Sequence, residues 1–239
     1  MGNTYQSRSV TLPKAPSTVK YGSSDTPCMK FLLITDMHQN GSAIDWINQE
    51  IEEYKVEFVI HLGDVTDMGT GEQAAELLSK IKSKVYVIPG NCDPRDMPEC
   101  IKDVAVDVHG KRFSIDGYDF AALGGGNPSP FDTPFELQED EIYEALKPIS
   151  SEGMILMTHA PAKGSFDKIL IGIHVGSEAI KKIVDEYHPI LAMSGHIHEA
   201  IGCKVIDGTT FVNPGPAKDG YSAVITIEGK NVDVKMLKK

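Results

Sequence analysis

The chain has 239 residues, of which 41% are hydrophobic and 24% charged, a mixture typical of a globular α/β protein with a substantial core. Its formal net charge of −11 opposes binding to nucleic acid polymers and to anionic membranes, because such binding depends on basic patches. No segment approaches the roughly 18 apolar residues of a membrane span, and the start lacks the apolar region of a secretory signal. We therefore expect a soluble, cytoplasmic protein.

The cysteines are predicted to be free thiols in a reducing compartment. They form no C-x-x-C pair, and the chain shows no export signal. The four residues are Cys28, Cys92, Cys100 and Cys203.

The first part of the chain predicts a tail followed by alternating strands and helices. Residues 1–28 are rich in Ser, Thr, Pro and Gly and lack apolar periodicity, which predicts an irregular extension before a single domain over residues 29–239. Compact apolar runs then alternate with amphipathic stretches, so we expect a largely parallel sheet with right-handed crossovers. Strands are predicted over 30–36, 56–64 and 84–91, and helices over 42–54, 71–83 and 94–103.

The second part adds antiparallel strands to this pattern. Asp116 and Gly117 predict the type I′ turn of a hairpin within 111–123, because both residue types accept positive φ values. A Gly/Pro-rich loop follows over 124–135. Helices are then predicted over 136–147 and 177–187, and strands over 153–161, 189–200, 202–206, 209–213, 221–228 and 231–237.

Five of the predicted strands end in side chains that favour divalent metal ions. In open α/β sheets the residues just beyond the carboxyl ends of the strands line one crevice, so these ends should meet. Their motifs are D-M-H, G-D-V-T-D, G-N-C-D, T-H-A and G-H-I-H, and the donors are Asp36, His38, Asp64, Asn91, His159, His196 and His198. Seven oxygen and nitrogen donors exceed the four that one tetrahedral ion takes, which implies two metals.

Each of these ends also has an ordinary structural explanation. An aspartate such as Asp36 often caps a helix, and Asn91 could simply form a turn after Pro-Gly. His159 could be a loop histidine. These explanations do not predict that ligand-type residues would follow all five strands.

In this order the motifs D-x-H, G-D-x-x-D, G-N-x-D, T-H and G-H-x-H resemble the calcineurin-like metallophosphoesterase superfamily, over residues 30 to about 228. The N-P-G at 213–215 resembles its compact prokaryotic members. The resemblance implies a four-layer αββα sandwich of two mixed sheets flanked by helices. It also implies a dinuclear phosphoesterase, expected to be a phosphodiesterase, in which a metal-bridging hydroxide attacks a small phosphorylated substrate. Manganese is the expected metal, with iron, nickel and zinc as alternatives.

The resemblance also implies roles for individual residues. Asp36, His38 and His198 would hold one ion, Asn91, His159 and His196 the other, and Asp64 would bridge them. Asp67 and Asp93 would orient ligands or loop N–H groups from outside. His61 is expected to pack in the core, and His109 and His188 to lie in loops or on the surface.

Cys92 departs from the family, many members of which carry a histidine there that is thought to protonate the leaving group. A thiol could donate a proton near neutrality, whereas close metals favour the thiolate, so Cys92 is also interpreted as a wall of the substrate pocket. His174 is the second candidate substrate-binding residue and proton donor, with a packed loop histidine as the alternative. No general acid is assigned, and a reaction that lacks one favours good leaving groups, which indicates a phosphodiesterase.

Two further hypotheses concern the substrate and the rival functions. Phe131 and Phe135 are predicted to line the rim of the site and to stack on an aryl group or nucleobase. The main rival is a non-catalytic metal-binding scaffold for protein partners, since a retromer subunit resembles this fold; the complete donor set argues against it. A DNA nuclease is disfavoured by the acidic charge and by Cys92. The oligomeric state stays open.

Overall fold

The computed structural model describes residues 28–239, so the predicted extension lies outside the described residues except for Cys28, which begins the first strand. The helices of this part are α1 Ala43–Tyr54, α2 Gly71–Leu78, α3 Met97–Ile101, α4 Glu139–Leu146 and α5 Glu178–Tyr187. Its strands are β1 Cys28–Ile34, β2 Phe58–His61, β3 Val85–Val87, β4 Val106–Asp107, β5 Lys111–Ile115, β6 Tyr118–Leu123, β7 Ile155–Thr158, β8 Leu191–Met193, β9 Gly202–Ile206, β10 Thr209–Asn213, β11 Tyr221–Glu228 and β12 Asn231–Lys238.

The strands form two mixed six-stranded sheets. The first has the order β12-β11-β1-β2-β3-β4 and the second β5-β6-β7-β8-β10-β9. The central strands of each sheet are parallel, as the alternation of strands and helices predicts. The antiparallel pairs lie at the β11–β12 edge of the first sheet and at both edges of the second. The predicted α/β class with two mixed sheets is confirmed.

Strand β1 shows how the layers are held together. Phe31 and Leu33 point into a core that also contains Phe120 and Met157 of the second sheet, so the two sheets pack face to face. The alternate residues Leu32 and Ile34 point to the other side, against the side chains of α1 to α3. Such a strand is buried on both faces, which explains its continuous apolar sequence.

A third cluster places α4 and α5 on the outer face of the second sheet. Ile142 of α4 and Ile183 of α5 pack there against Leu156 of β7. The succession of helices, sheet, sheet and helices gives the four layers that the resemblance implies.

The observed strands are shorter than predicted at their carboxyl ends. The strand predicted over 189–200 ends at Met193, and that over 153–161 ends at Thr158. The polar ends leave the sheet and form loops, and this is where the candidate ligands lie. Strand β4 was not predicted, because two residues are too short to show a period of two. In the described part of the chain no helix has the length and apolar character needed to cross a lipid bilayer.

Candidate metal centre

The five polar strand ends meet at one edge of the molecule, but they come from both sheets. The loops after β1, β2 and β3 belong to the first sheet, and those after β7 and β8 to the second. The expectation that all five strand ends belong to one sheet is wrong, because β7 and β8 lie in the second sheet. Backbone hydrogen bonds join the loops, from Asp36 N to the Gly63 carbonyl and from Gly195 N to the His159 carbonyl.

Four of the seven candidate ligands have a left-handed backbone. The φ angles are 53° at Asp36, 45° at His38, 52° at Asp64 and 67° at His196. Residues other than glycine rarely adopt this conformation, which costs of order 1 kcal/mol each and persists where the surrounding structure imposes it. These positions all lie in the loops that follow the strands and carry the candidate ligands.

Asp36, His38 and His198 form the first donor group. Asp36 Oδ1 lies 3.2 Å from His198 Nε2, and the Nε2 atoms of His38 and His198 are also 3.2 Å apart. The second carboxylate oxygen of Asp36 accepts hydrogen bonds from Thr35 Oγ1 and from His196 N. Asp36 Oδ1 therefore faces the other members of the donor group, while Oδ2 holds the loop that carries His196.

Asn91 and His159 form the second donor group, with His196 beside it. His159 is buried, and its Nδ1 lies 2.9 Å from the Leu62 carbonyl, to which it donates. Its Nε2 lies 2.8 Å from the Asn91 amide oxygen. The ring of His196 meets that of His159 edge to face at 5.1 Å between centroids. The hydrogen bond to the Leu62 carbonyl thus orients the His159 ring so that Nε2 faces Asn91.

Asp64 lies between the two groups. Its Oδ2 is 3.6 Å from His38 Nε2 and 3.5 Å from His159 Nε2. Its Oδ1 accepts a hydrogen bond from Cys92 N at 2.8 Å. A Cβ atom on Gly90 would lie 2.0 Å from the same Oδ1, so only glycine lets the β3 loop approach this carboxylate.

The pKa values of the candidate ligands show the effects of burial and of the two neighbouring carboxylates. Burial, together with the charges of Asp36 and Asp93, raises the pKa of Asp64. Burial lowers the pKa of His159, but the nearby carboxylates Asp64 and Asp36 outweigh it and raise the pKa above its ordinary value. Burial and the neighbouring His159 lower the pKa of His196 to about 3. Two buried carboxylates with histidines as their ion-pair partners form a centre that a cation would stabilise.

Asp93 and Asn213 hold the loops from outside. The buried carboxylate of Asp93 accepts hydrogen bonds from the backbone N–H groups of Val65, Thr66 and Gly90, and from the Thr66 hydroxyl. Asn213 donates from its side chain to the Ile197 carbonyl within G-H-I-H. Both contacts fix backbone that carries candidate ligands.

Asp67 and Cys92 lie on the open side of the same centre. Asp67 Oδ1 is 3.6 Å from His38 Nδ1, beyond hydrogen-bond distance, and its side chain is 65% exposed. Cys92 is half-buried, and its Sγ lies within 4.8 Å of ligand atoms of His38 and Asp64. Burial and the charge of Asp64 raise the pKa of its thiol.

His174 is hydrogen-bonded to an aspartate that is not among the candidate ligands. Its Nδ1 lies 2.7 Å from Oδ1 of the buried Asp167, whose Oδ2 accepts from Gly176 N. Burial raises the pKa of Asp167, but the hydrogen bonds from Gly164 and His174 lower it below its ordinary value. Reasoning from the sequence missed Asp167, because nothing in S-F-D-K marks it as the partner of a histidine seven residues later.

The other histidines and the two loop phenylalanines can also be placed. His61 is fully buried, as expected, and His188 is an exposed residue that ends α5. His109 lies in a turn, as expected for a loop residue, where it is half-buried against Phe135 and accepts from Gly124 N. Phe131 is 77% exposed, whereas Phe135 is 5% exposed, with Arg95 over its ring. The prediction that Phe135 lines the rim is wrong.

With this geometry in place, the chain can be compared with known proteins. A family model described as calcineurin-like phosphoesterase matches residues 29–200. The chain belongs to the calcineurin-like phosphoesterase family. An uncharacterized protein of Methanocaldococcus jannaschii, MJ1162, is 31% identical over 199 residues, which cover 79% of this chain and 88% of that protein.

Solved structures show the same fold. A dimetal phosphatase from Danio rerio has a TM-score of 0.58 at 12% identity and covers 89% of this chain and 99% of its own. A protein described as a novel archaeal phosphodiesterase has a TM-score of 0.53 at 15% identity, over 87% of this chain and 100% of its own. At these identities the comparison establishes the fold alone.

The donor set fits a pair of divalent ions. It combines carboxylate and amide oxygen with imidazole nitrogen, the types that manganese, iron and zinc accept. Groups of three such atoms lie within 4.8 Å of one another, among them Asp36, His38 and His198, and Asp36, Asp64 and His159. The family is metal-dependent, and this chain has candidate ligands for a dinuclear site.

Proposed function

We propose that the protein hydrolyses phosphoric esters with two divalent metal ions, and that its substrates are phosphodiesters. The observation that carries this is the position of Asp64 Oδ2 between His38 Nε2 and His159 Nε2. One ion would be held by Asp36, His38 and His198, the other by Asn91, His159 and His196, with Asp64 shared. When bound, the ions supply Lewis-acid chemistry, drawing charge from phosphoryl oxygens and lowering the pKa of water.

The residues of the chain prepare this centre. The Leu62 carbonyl fixes the His159 ring, and Thr35 and His196 N fix Asp36, so few rearrangements are needed when an ion binds. Asp36, Asp64 and His159 are buried, which limits the access of bulk water to their side. His38 and Cys92 are more exposed and mark the side from which a phosphate ester approaches.

The preference for diesters rests on Cys92 and His174. The family resemblance implies a histidine in many members at the position of Cys92. Burial and the carboxylates around Cys92 raise the pKa of its thiol. His174 is hydrogen-bonded through Nδ1 to Asp167, and no role as a proton donor is assigned to it. A site that lacks a proton donor at the leaving group favours esters of acidic alcohols. Aryl phosphodiesters are the substrates that fit.

A metal and substrate screen tests the function. The purified protein would be loaded separately with manganese, iron, nickel or zinc and assayed against aryl phosphomonoesters, aryl phosphodiesters and cyclic nucleotides. We expect the largest kcat/KM for an aryl phosphodiester. The Asp64→Asn variant, purified identically, gives the background of contaminating phosphatases. Equal rates for the native protein and this variant with every metal would contradict the proposal.

A further inference from the structure

An apolar cleft opens beside the candidate metal centre. It has a volume of about 430 Å³ and is lined by residues 127–131 on one side and 169–171 with Val175 on the other. His196 and Ile197 of the G-H-I-H motif also line it. The cleft therefore borders the candidate metal centre at His196.

The walls of the apolar cleft expose large apolar side chains to solvent. Phe131 is 77% exposed, Leu170 87% and Ile171 75%. Single exposed apolar residues are common on protein surfaces and need no explanation. Several of them side by side form an apolar patch, and such a patch indicates a binding site. Pro128 and Pro130 add rigid, flat surface to the same wall as Phe131.

Hydrogen bonds hold both walls in position. Asn127 Nδ2 donates to the Val175 carbonyl and so ties one wall to the other. Leu170 N donates to Glu199, the residue after candidate ligand His198, which ties the second wall to the centre. Glu136 accepts from the backbone N–H and hydroxyl groups of both Ser129 and Thr133 on either side of Phe131. A wall fixed before binding loses little conformational entropy when a ligand enters.

The charges of the lining restrict what the apolar cleft can hold. No lysine or arginine is found among these lining residues of the described chain, and Glu199 contributes a carboxylate. An anionic group would be repelled there, and a strongly polar one would lose hydration without gaining partners. An uncharged, flat apolar group fits the lining and its volume.

We propose that the apolar cleft binds an uncharged aromatic ester group of the substrate while the phosphate lies at the metal centre, and that Phe131 and Leu170 set this preference. The inference rests on the proposed function, because it identifies the organic part of the ester that is hydrolysed. It assigns to this face a substrate class, aryl phosphate esters, over alkyl or anionic ones.

The test uses methyl aryl phosphodiesters in which the aryl group is phenyl, 2-naphthyl or a carboxylate-bearing phenyl, with a methyl hexyl diester for comparison. The phenols are chosen to match in pKa, so that differences report binding and not leaving-group ability. The double variant Phe131→Ala/Leu170→Ala is compared with the control Ile173→Ala/Val205→Ala, which removes two apolar side chains that are 54% and 68% exposed and do not line the cleft. Metal content is measured for each protein.

We expect kcat/KM to be about tenfold higher for the naphthyl than for the phenyl diester, equivalent to about 1.4 kcal/mol. This ratio should fall to threefold or less in the cleft variant and stay unchanged in the control. The carboxylate-bearing ester should be the poorest aryl substrate. If hydrolysis is measurable but the naphthyl preference is absent, or both double variants behave alike, the inference is wrong while the proposed function stands. The methyl hexyl diester, whose alcohols are poor leaving groups, is compared as a competitive inhibitor. If it inhibits more strongly than the naphthyl diester binds, and this advantage is lost in the cleft variant, the aromatic assignment is also overturned.

A binding measurement decides the case in which no ester is hydrolysed. 2-Naphthylmethylphosphonate has a C–P bond that resists hydrolysis, and its fluorescence reports binding to the protein. Binding that weakens at least tenfold in the cleft variant but not in the control supports the cleft even if the proposed function fails. No binding, or equal binding in both variants, overturns it.

Discussion

The Nε2 atom of His159 lies 2.8 Å from the amide oxygen of Asn91. The other ring nitrogen donates to the Leu62 carbonyl, so the lone pair of Nε2 would face the Asn91 oxygen unless a second proton or a cation lies between them. Asp64 Oδ2 is 3.5 Å away on the same side. A positive charge is therefore favoured between His159, Asn91 and Asp64. A bound metal ion would supply that charge.

The first prediction concerns Asp64 as the shared ligand. Asp64→Asn keeps the size of the side chain but removes the negative charge that reduces the repulsion between the two cations. We therefore expect the variant protein to bind at most one ion per chain. Hydrolysis of an aryl phosphodiester should fall by about a hundredfold or more. Elemental analysis after loading with metal gives the stoichiometry. Asp45→Asn, on the exposed face of α1, is the matched control and should keep the native metal content.

The second prediction concerns Asp93 as the support of the loops. Asp93→Ala leaves the buried donors of Val65, Thr66 and Gly90 without their acceptor, and we expect a loss of about 3 kcal/mol or more in the free energy of unfolding. Denaturant unfolding in the presence of a chelator separates this loss from any loss of metal. Asp96→Ala, whose exposed side chain makes no capping hydrogen bond, should change stability by less than about 0.5 kcal/mol. Similar losses in the two variants would contradict the assigned role.

The third prediction concerns the close approach of the β3 loop to Asp64. In Gly90→Ala the new Cβ would lie 2.3 Å from Asp64 N, a backbone atom that cannot move freely. We expect a loss of about 2 kcal/mol or more in stability, together with weaker metal binding. Gly41→Ala, where the nearest atom would be Leu77 Cδ2 at 3.8 Å, is the control and should be near neutral. Native metal affinity in Gly90→Ala would show that the approach does not matter.

The fourth prediction concerns pH and a carboxyl group far from the centre. Glu50 of α1 is buried, accepts from Ser222 Oγ at 2.7 Å, and has a pKa raised by burial. Because the folded state holds this proton more tightly than the unfolded state, the stability it contributes is present below the unfolded pKa and is lost as pH rises towards the folded pKa. Glu50→Gln should therefore gain stability relative to the native protein as pH rises above the ordinary glutamate pKa of about 4.3.

Urea unfolding at several pH values measures that difference. Gln keeps an oxygen that accepts from Ser222, so the hydrogen bond is retained while the ionisation is removed. The exposed Glu52→Gln on the same helix is the control and should show no comparable trend. A difference between Glu50→Gln and the native protein that stays constant with pH would refute the account.

The fifth prediction concerns Cys92. If Cys92 lines the pocket and donates no proton, Cys92→Ser should keep native metal content and hydrolyse aryl phosphodiesters within about tenfold of the native rate. The dependence of rate on leaving-group pKa should be steep in both proteins and flatter in Cys92→His, because a donor helps poor leaving groups most. A flat dependence in the native protein would instead indicate that another group, with His174 as the first candidate, supplies the proton.

The polar motifs at the ends of the strands could be predicted from the sequence, because a change from apolar to polar residues is visible within a few positions. β1 and β2 are continuous apolar runs, and the polar motifs that follow them mark where each run leaves the sheet. Asp36 and Asp64 lie two and three residues after the ends of these strands, and the local sequence predicts where the strands end. The division of the strands between two sheets has no local signal and came from the family resemblance.

The parts that were missed depend on contacts between distant segments. Phe135 looks like a rim residue in its Gly/Pro loop, but Arg95 and His109 cover its ring. The apolar cleft arises because Asn127 and Val175 meet across 48 residues, which no periodicity predicts. The hydrogen bond between His174 and the buried Asp167 was missed as well, because nothing in the local sequence marks these two residues as partners.

The measurement that tests the central claim most directly is a titration of metal-free protein with manganese that follows bound ions and aryl phosphodiester hydrolysis in the same samples. The account predicts two ions per chain at saturation, with hydrolysis rising as the second ion binds. Saturation at one ion per chain, or two bound ions without any hydrolysis above that of Asp64→Asn, would contradict it.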